Sequence, residues 1–147
     1  MKQKLITGRG FTLVELLVVI VIIAALAGLT APMVIRQRKK ADQTEAVNNA
    51  KQIGIAMFEF ENGYGSFPDT TTGDQVTENT GTTLTFAGGQ SNDFFRQLMA
   101  AEIAQSEAMF YAKANYTKKP DNVFNTSTNA LAAGEVGFGY IMNGSTA

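Results

Sequence analysis

Gly8-Arg9-Gly10-Phe11-Thr12-Leu13-Val14-Glu15-Leu16-Leu17 joins a basic start to an apolar run and leaves a single carboxylate at the junction. The charges before it, Lys2, Lys4 and Arg9, are all positive. After it, Leu16 to Ile35 is 20 residues without a charge, long enough for a helix to cross the hydrocarbon of a bilayer. A carboxylate set into such a run costs on the order of several kcal/mol unless it is neutralised or paired. Three readings fit the segment. A secretory signal would be cut after Ala25-Leu26-Ala27, with basic, apolar and small-residue parts in order. A plain anchor needs only the span. Neither has a use for Glu15. In the third reading, cutting the Gly10–Phe11 bond frees an α-amino group at Phe11. In a helical polymer that amine on one subunit meets Glu15 on the next, each relieving the other's burial and fixing the axial register. The simpler alternative for Glu15 is that it sits at the interfacial edge and snorkels to water.

Composition narrows the classes. From Gln52 to Ala147 there are ten acids against four bases, a formal charge of −6, which repels a phosphate backbone and argues against nucleic acid as a partner. The sequence has no Cys and no His. Disulfides, thiolate nucleophiles and zinc fingers are therefore excluded, as are the commonest general base near neutral pH and the commonest transition-metal ligand. No spacing of Ser, Lys or paired carboxylates points to catalysis, so the chain is read as a non-enzyme.

The opening stretch resembles the processing and methylation signal of type IV pilins and type II secretion pseudopilins: a basic leader, Gly at the cut, Phe next, Glu four residues on, then an unbroken aliphatic run. The resemblance implies cleavage after Gly10 by a membrane prepilin peptidase, N-methylation of the new terminus at Phe11, and an assembly role for Glu15. It also implies loosening of the helix around Gly28 and Pro32, both poor helix residues; a simple kink where the helix leaves the bilayer is the alternative. The implied location is a bacterial inner membrane, leader in the cytoplasm and head in the periplasm, then a periplasmic or cell-surface filament. Charge alone does not orient the span: Arg36, Arg38, Lys39 and Lys40 follow it, against Lys2, Lys4, Arg9 and the Met1 amine before it.

Beyond the span, Ala46, Ala50, Ile53, Met57, Phe60 and Tyr64 recur at helical spacing and line one face. They are expected to pack on a folded head rather than hold a ligand. Asn62-Gly63-Tyr64-Gly65 ends the helix, and Ser66-Phe67-Pro68-Asp69 follows. The passage from Lys40 to Pro68 is similar to the helix-to-loop passage of major pseudopilins. The expected division is a basic leader at 1–10, a transmembrane and polymerisation helix at 11–35, the amphipathic half of that helix at 36–64, and a small α+β head at 65–147. By resemblance the fold class is α+β and pilin-like, the amphipathic half-helix packing on a small antiparallel sheet. Candidate strands are Thr83–Phe86 and Val136–Met142. Ser91 or Asn92 is a candidate cap for a helix carrying Phe94, Phe95, Leu98 and Met99 on one face. Thr70–Gly89 otherwise reads as loop, and Glu107–Tyr116 as either short helix or strand. Asn143-Gly144-Ser145 is turn chemistry, fitting either a shorter variant or a head whose last strands lie beyond Ala147.

Some major pseudopilins hold calcium in a distal loop, and the resemblance extends that idea here. Oxygen donors are available at Asp69, Asp74 and Glu78, or at Asp121, Asn122 and Asn125. Neither group has the spacing of a regular calcium loop, and a solvated loop is the simpler explanation. Expected partners are further copies of the chain in a filament, other pilins or pseudopilins, the prepilin peptidase, an inner-membrane assembly platform, and lipid before assembly. The missing disulfide favours a pseudopilus over an adhesive pilus. A membrane-anchored or secreted periplasmic binding domain that never polymerises is the alternative.

Overall fold

In a computed structural model of the chain, residues 10–86 and 88–141 are described, without the side chains of residues 30–32. The leader before Gly10, Met142 of the second candidate strand and the Asn143-Gly144-Ser145 turn lie outside the described residues. The chain divides into two compact units, Met1–Lys40 and Ala41–Ala147. One helix, α1, spans Leu13–Tyr64 and contributes to both.

In the first unit, α1 is apolar around its whole circumference. Leu13 is 87% exposed, Ile20 57% and Leu29 77%. Val and Ile dominate residues 18–23, and β-branched side chains are mediocre helix formers in water. Their helix is what a lipid-filled surrounding requires, because hydrocarbon offers the backbone no hydrogen bonds and the chain must satisfy its own N–H and C=O groups. By length and composition α1 can cross a membrane.

In the second unit, α1 buries one face. Ile53, Ala56, Met57 and Phe60 are buried, and Tyr64 stacks on Phe60 with ring centroids 4.4 Å apart. The expected stripe holds from Ile53 onward. Ala46 is half-buried and Ala50 exposed; there Asn49 makes the connection, its side-chain amide donating to the carbonyls of Ala108 (3.0 Å) and Tyr111 (2.9 Å).

A second helix, α2 (Thr72–Thr80), lies where a loop was expected. Asp69 starts it: one carboxylate oxygen accepts from the N–H groups of Thr71 (2.6 Å) and Thr72 (2.9 Å) and from the Thr71 hydroxyl (2.7 Å). Gly81, left-handed at φ 64°, ends it by donating its N–H to the Thr77 carbonyl. The third helix, α3 (Ser91–Ala100), begins at Gln90, one residue before the expected cap. Its Phe94, Phe95, Leu98 and Met99 are all buried, as their spacing predicts. Gln97, fully buried on α3, accepts from the Thr72 hydroxyl (2.6 Å) and donates to the Asp69 carbonyl (2.7 Å). The start of α2 is thereby locked to the middle of α3 at no cost in unmet hydrogen bonds. Glu107–Phe110 is a short 3-10 helix, and Phe110 lies 4.8 Å from Phe95 in the core.

The expected sheet is not present among the described residues. Leu84 and Phe86 are buried while Thr83 and Thr85 are exposed, which is strand-like alternation. The backbone is nevertheless satisfied by side chains: Thr85 N–H donates to the Ser127 hydroxyl (2.7 Å) and Leu84 N–H to that of Thr82 (3.2 Å). The segment from Val136 behaves likewise. Tyr140 N–H goes to the Ser91 hydroxyl (2.9 Å), and Gly137 N–H to the Phe110 carbonyl (2.9 Å). Gly137 permits that approach, since a Cβ there would stand 2.7 Å from the Ala112 carbonyl oxygen. A chain rich in Ser, Thr and Asn offers its backbone such local partners, and they displace the ladder.

Phe60→Ala should cost about 3–5 kcal/mol of stability in urea unfolding of the full chain in detergent, while Phe58→Ala, at a 62% exposed position, stays within about 0.5 kcal/mol. Equal losses would refute the assignment of the buried face. Asp69→Ala should cost about 1 kcal/mol. Burial pushes the Asp69 carboxyl up, but the Thr71 hydroxyl and the Thr72 and Thr71 N–H groups outweigh it, so its pKa lies below the ordinary 3.8. The carboxylate's contribution is therefore complete above that ordinary value and fades as pH falls through the lower folded one. The stability gap between wild type and Asp69→Ala should close in acid; a gap that widens there would contradict the assignment.

Candidate functional site

Gly10, Phe11 and Thr12 precede the first helical turn and are exposed, Phe11 by 77%. The Gly10–Phe11 bond thus lies in non-helical backbone, and a Cβ on Gly10 would meet nothing within 4 Å. An enzyme cleft can take such a segment without first melting a helix.

Thr12 and Glu15 are bound to each other. The Glu15 Oε2 atom accepts from the Thr12 N–H (2.8 Å) and the Thr12 hydroxyl (2.7 Å), and the Glu15 N–H reaches back to the Thr12 hydroxyl (3.2 Å). This is a capping box, which satisfies donors that the first turn of a helix otherwise leaves open. Reading Glu15 for charge alone missed it, although the signal is local and legible: Thr, two apolar residues, then Glu. Both bonds to the carboxylate use Oε2. Oε1 takes no part in the box.

At Gly28 and Pro32 the helix continues. Pro32 has no N–H to offer the carbonyl four residues earlier, that of Gly28, so one rung of the ladder is missing between the two residues named for loosening.

The acidic candidates of the head separate. Asp69 is committed to the start of α2, and Asp74 and Glu78 are exposed on that helix. Asp121 instead joins Glu107 and Glu135, one carboxylate oxygen of each lying within 4.8 Å of the others. Each has an oxygen held by a backbone N–H: Glu107 by Leu131 (2.7 Å), Asp121 by Val123 (2.8 Å) and Glu135 by Ala132 (2.8 Å). The Asn122 side chain accepts from the Glu107 N–H (3.2 Å). Both residues that clasp Glu107, Asn122 (φ 58°) and Leu131 (φ 49°), are left-handed, a conformation that non-glycine residues hold only under surrounding constraint. Burial first, then the charges of Glu135 and Asp121, raise the Glu107 pKa against the Leu131 N–H, which lowers it. Glu107 and Glu135 were not singled out from the sequence, whereas Asp121 was.

Residues 8–31 match the family described as the prokaryotic N-terminal methylation motif. The chain is 40% identical over 67 residues to the type II secretion system core protein G of Escherichia coli, covering 44% of this chain and 45% of that protein. Against the protein of the same name from Klebsiella pneumoniae it is 27% identical over 132 residues, covering 88% of this chain and 78% of the other. These matches support a pseudopilin family. In the first of these matches, as in that to the Pectobacterium carotovorum protein (42%), the chain spans less than half the length of its relative. No solved structure matches significantly.

Thr12→Ala removes the hydroxyl of the capping box and should destabilise the first turn by about 1 kcal/mol. Amide hydrogen exchange in detergent micelles should show faster exchange confined to the turn after Thr12. Unchanged protection there would show that the box does not hold the helix start.

Proposed function

We propose that this chain is a structural subunit of a type II secretion pseudopilus, or of a related type IV pilus, cut after Gly10, methylated at Phe11 and assembled into a helical filament. The observation that carries the reading is the fully exposed apolar helix after Phe11 with one carboxylate at its head. Exposed apolar surface of this extent is a membrane or protein interface. A membrane covers it before assembly, and neighbouring copies cover it afterwards. The work is assembly, with no catalytic step assigned to the chain.

Glu15 has two tasks in this scheme, divided between its oxygens. Oε2 closes the capping box. Oε1 is left for a cation, and cleavage makes one: the α-amine of Phe11, methylated or not, is positive at neutral pH. Within one subunit that amine lies at the start of the same helix, where its charge opposes the helix dipole. Meeting Glu15 of a neighbour removes both penalties. The family likeness supplies the rest: a prepilin peptidase for the cut, other pseudopilins as co-subunits, an inner-membrane platform for assembly, and an orientation with the head in the periplasm. Loosening near Gly28 and Pro32 belongs to the assembled state in this reading, where the missing rung gives the helix a place to extend.

Two measurements test it. Mass spectrometry of the mature protein should find methyl-phenylalanine at Phe11; a terminus at Gly28 would sink the filament reading. Glu15→Gln separates the two tasks, because glutamine still closes a capping box but carries no charge. Filament yield should collapse in Glu15→Gln as in Glu15→Ala, with membrane insertion retained in both. Assembly that survives in Glu15→Gln and fails only in Glu15→Ala would assign Glu15 to the helix cap and overturn the charge pairing.

A further inference from the structure

Arg36, Arg38, Lys39 and Lys40 place four bases within five residues of α1, with no acid among them. All four are exposed. Arg36 and Lys40 stand one turn apart, a spacing at which like charges weaken a helix. The sequence supplies one acid at helical spacing from the cluster: Asp42, three residues after Lys39 and four after Arg38. That carboxylate is engaged elsewhere, with the Lys113 ammonium 3.0 Å from one of its oxygens and 3.3 Å from the other. Neither ion pair among the described residues uses Arg36, Arg38 or Lys39. These bases are left for an anion that does not come from their own stretch of helix.

Their position says which anion. The uncharged run Leu16–Ile35 is 20 residues, about 30 Å of helix, which equals the hydrocarbon thickness of a bilayer. Arg36 is the next residue. From Arg36 to Lys40 the helix rises about 6 Å, and one headgroup layer is about 5–8 Å deep. Seen down the axis, Lys40 lies about 40° from Arg36, Arg38 about 200° and Lys39 about 300°. The charges therefore face several sides at once, as lipids in a leaflet surround a helix. Guanidinium groups grip phosphate oxygens in pairs, and ammonium groups add compact positive charge.

We propose that Arg36, Arg38, Lys39 and Lys40 form a collar that selects anionic phospholipids, whose headgroup phosphate has no ammonium of its own to neutralise it, in the leaflet where the span ends. Zwitterionic lipids offer the same phosphate already paired with a cation, so they answer the collar less well. An anionic leaflet also relieves the repulsion between Arg36 and Lys40, which steadies the helix as it leaves the hydrocarbon. The proposal rests on the membrane stage of the reading above, and not on cleavage or polymerisation.

The test uses the full chain in a nonionic detergent, with Lys2→Gln, Lys4→Gln and Arg9→Gln removing the leader's bases from the count. This reference protein is mixed with equal amounts of dioleoyl phosphatidylglycerol and dioleoyl phosphatidylcholine. The lipids that accompany it through size-exclusion chromatography are then counted by mass spectrometry. At low salt the anionic lipid should exceed the zwitterionic one by about tenfold, and roughly 0.5 M sodium chloride should cut that excess several-fold. Inorganic phosphate at the lipid concentration should leave the ratio unchanged. Adding Arg36→Gln, Arg38→Gln, Lys39→Gln and Lys40→Gln together should bring the ratio to about one, with total lipid unchanged, because glutamine at exposed positions keeps the helix. Equal binding of the two lipids by the reference protein overturns this proposal alone, whereas binding of neither overturns it together with the membrane reading. A preference that survives the four substitutions, or that inorganic phosphate abolishes, overturns it as well. If the four substitutions change the protein's elution size and leave the lipid ratio as it was, the bases serve a contact between copies and the lipid site is refuted.

Discussion

The apolar run of α1 has to be covered by something other than water, and most other features of the chain answer to that constraint. About 25 cal/mol per Å² of apolar surface, spread over a helix exposed on every side, makes the free state in water untenable. In the proposed function the helix belongs to two surroundings in succession, lipid and then protein of equal apolarity. Between two such surroundings the hydrophobic effect decides little. Packing and paired charges are left to choose the assembled arrangement, and this is why a single carboxylate at the edge of the run carries so much of the functional argument.

The head meets the opposite requirement with few means. It is small, has no disulfide to constrain its unfolded state, and shows no paired strands among its described residues. Its order comes from one buried face of α1 and from polar side chains that take over backbone bonding. Gln97 between α2 and α3, Asn49 against the carbonyls of Ala108 and Tyr111, and the hydroxyls of Ser91 and Ser127 each replace a piece of ladder. Such a fold depends on satisfying individual polar atoms, so the orphaned Glu107 oxygen stands out against a background in which the buried side-chain groups of the described residues are otherwise met.

What the sequence disclosed follows the range of the interactions involved. The uncharged run, the methylation motif at residues 8–31 and the stripe from Ile53 to Tyr64 are local or periodic, and they are legible. Helix α2 was hidden because Thr, Gly and Asp lower its propensity, yet its ends were marked by Asp69 and Gly81. The alternation of Leu84 and Phe86 correctly told which side chains are buried. It did not tell where the intervening N–H groups go, because Ser127 is far off in sequence. Glu107, Asp121 and Glu135 stand 14 residues apart in each step, with no period linking them. Only the fold brings them together.

Glu15 and Glu107 are two versions of one electrostatic problem, and their differences show how each is put to use. Each carboxylate has one oxygen held by the chain itself: Oε2 of Glu15 by Thr12, Oε1 of Glu107 by Leu131. In each the second oxygen is left over. Glu15 lies on an exposed helix, and in the proposed filament its answering cation is the terminal amine of a neighbouring subunit. Glu107 lies buried in the head with two acids beside it, and burial first, then those acids, raise its pKa. A half-satisfied carboxylate is costly wherever it is buried; the surroundings decide whether the missing half is supplied by a protein partner or by a proton.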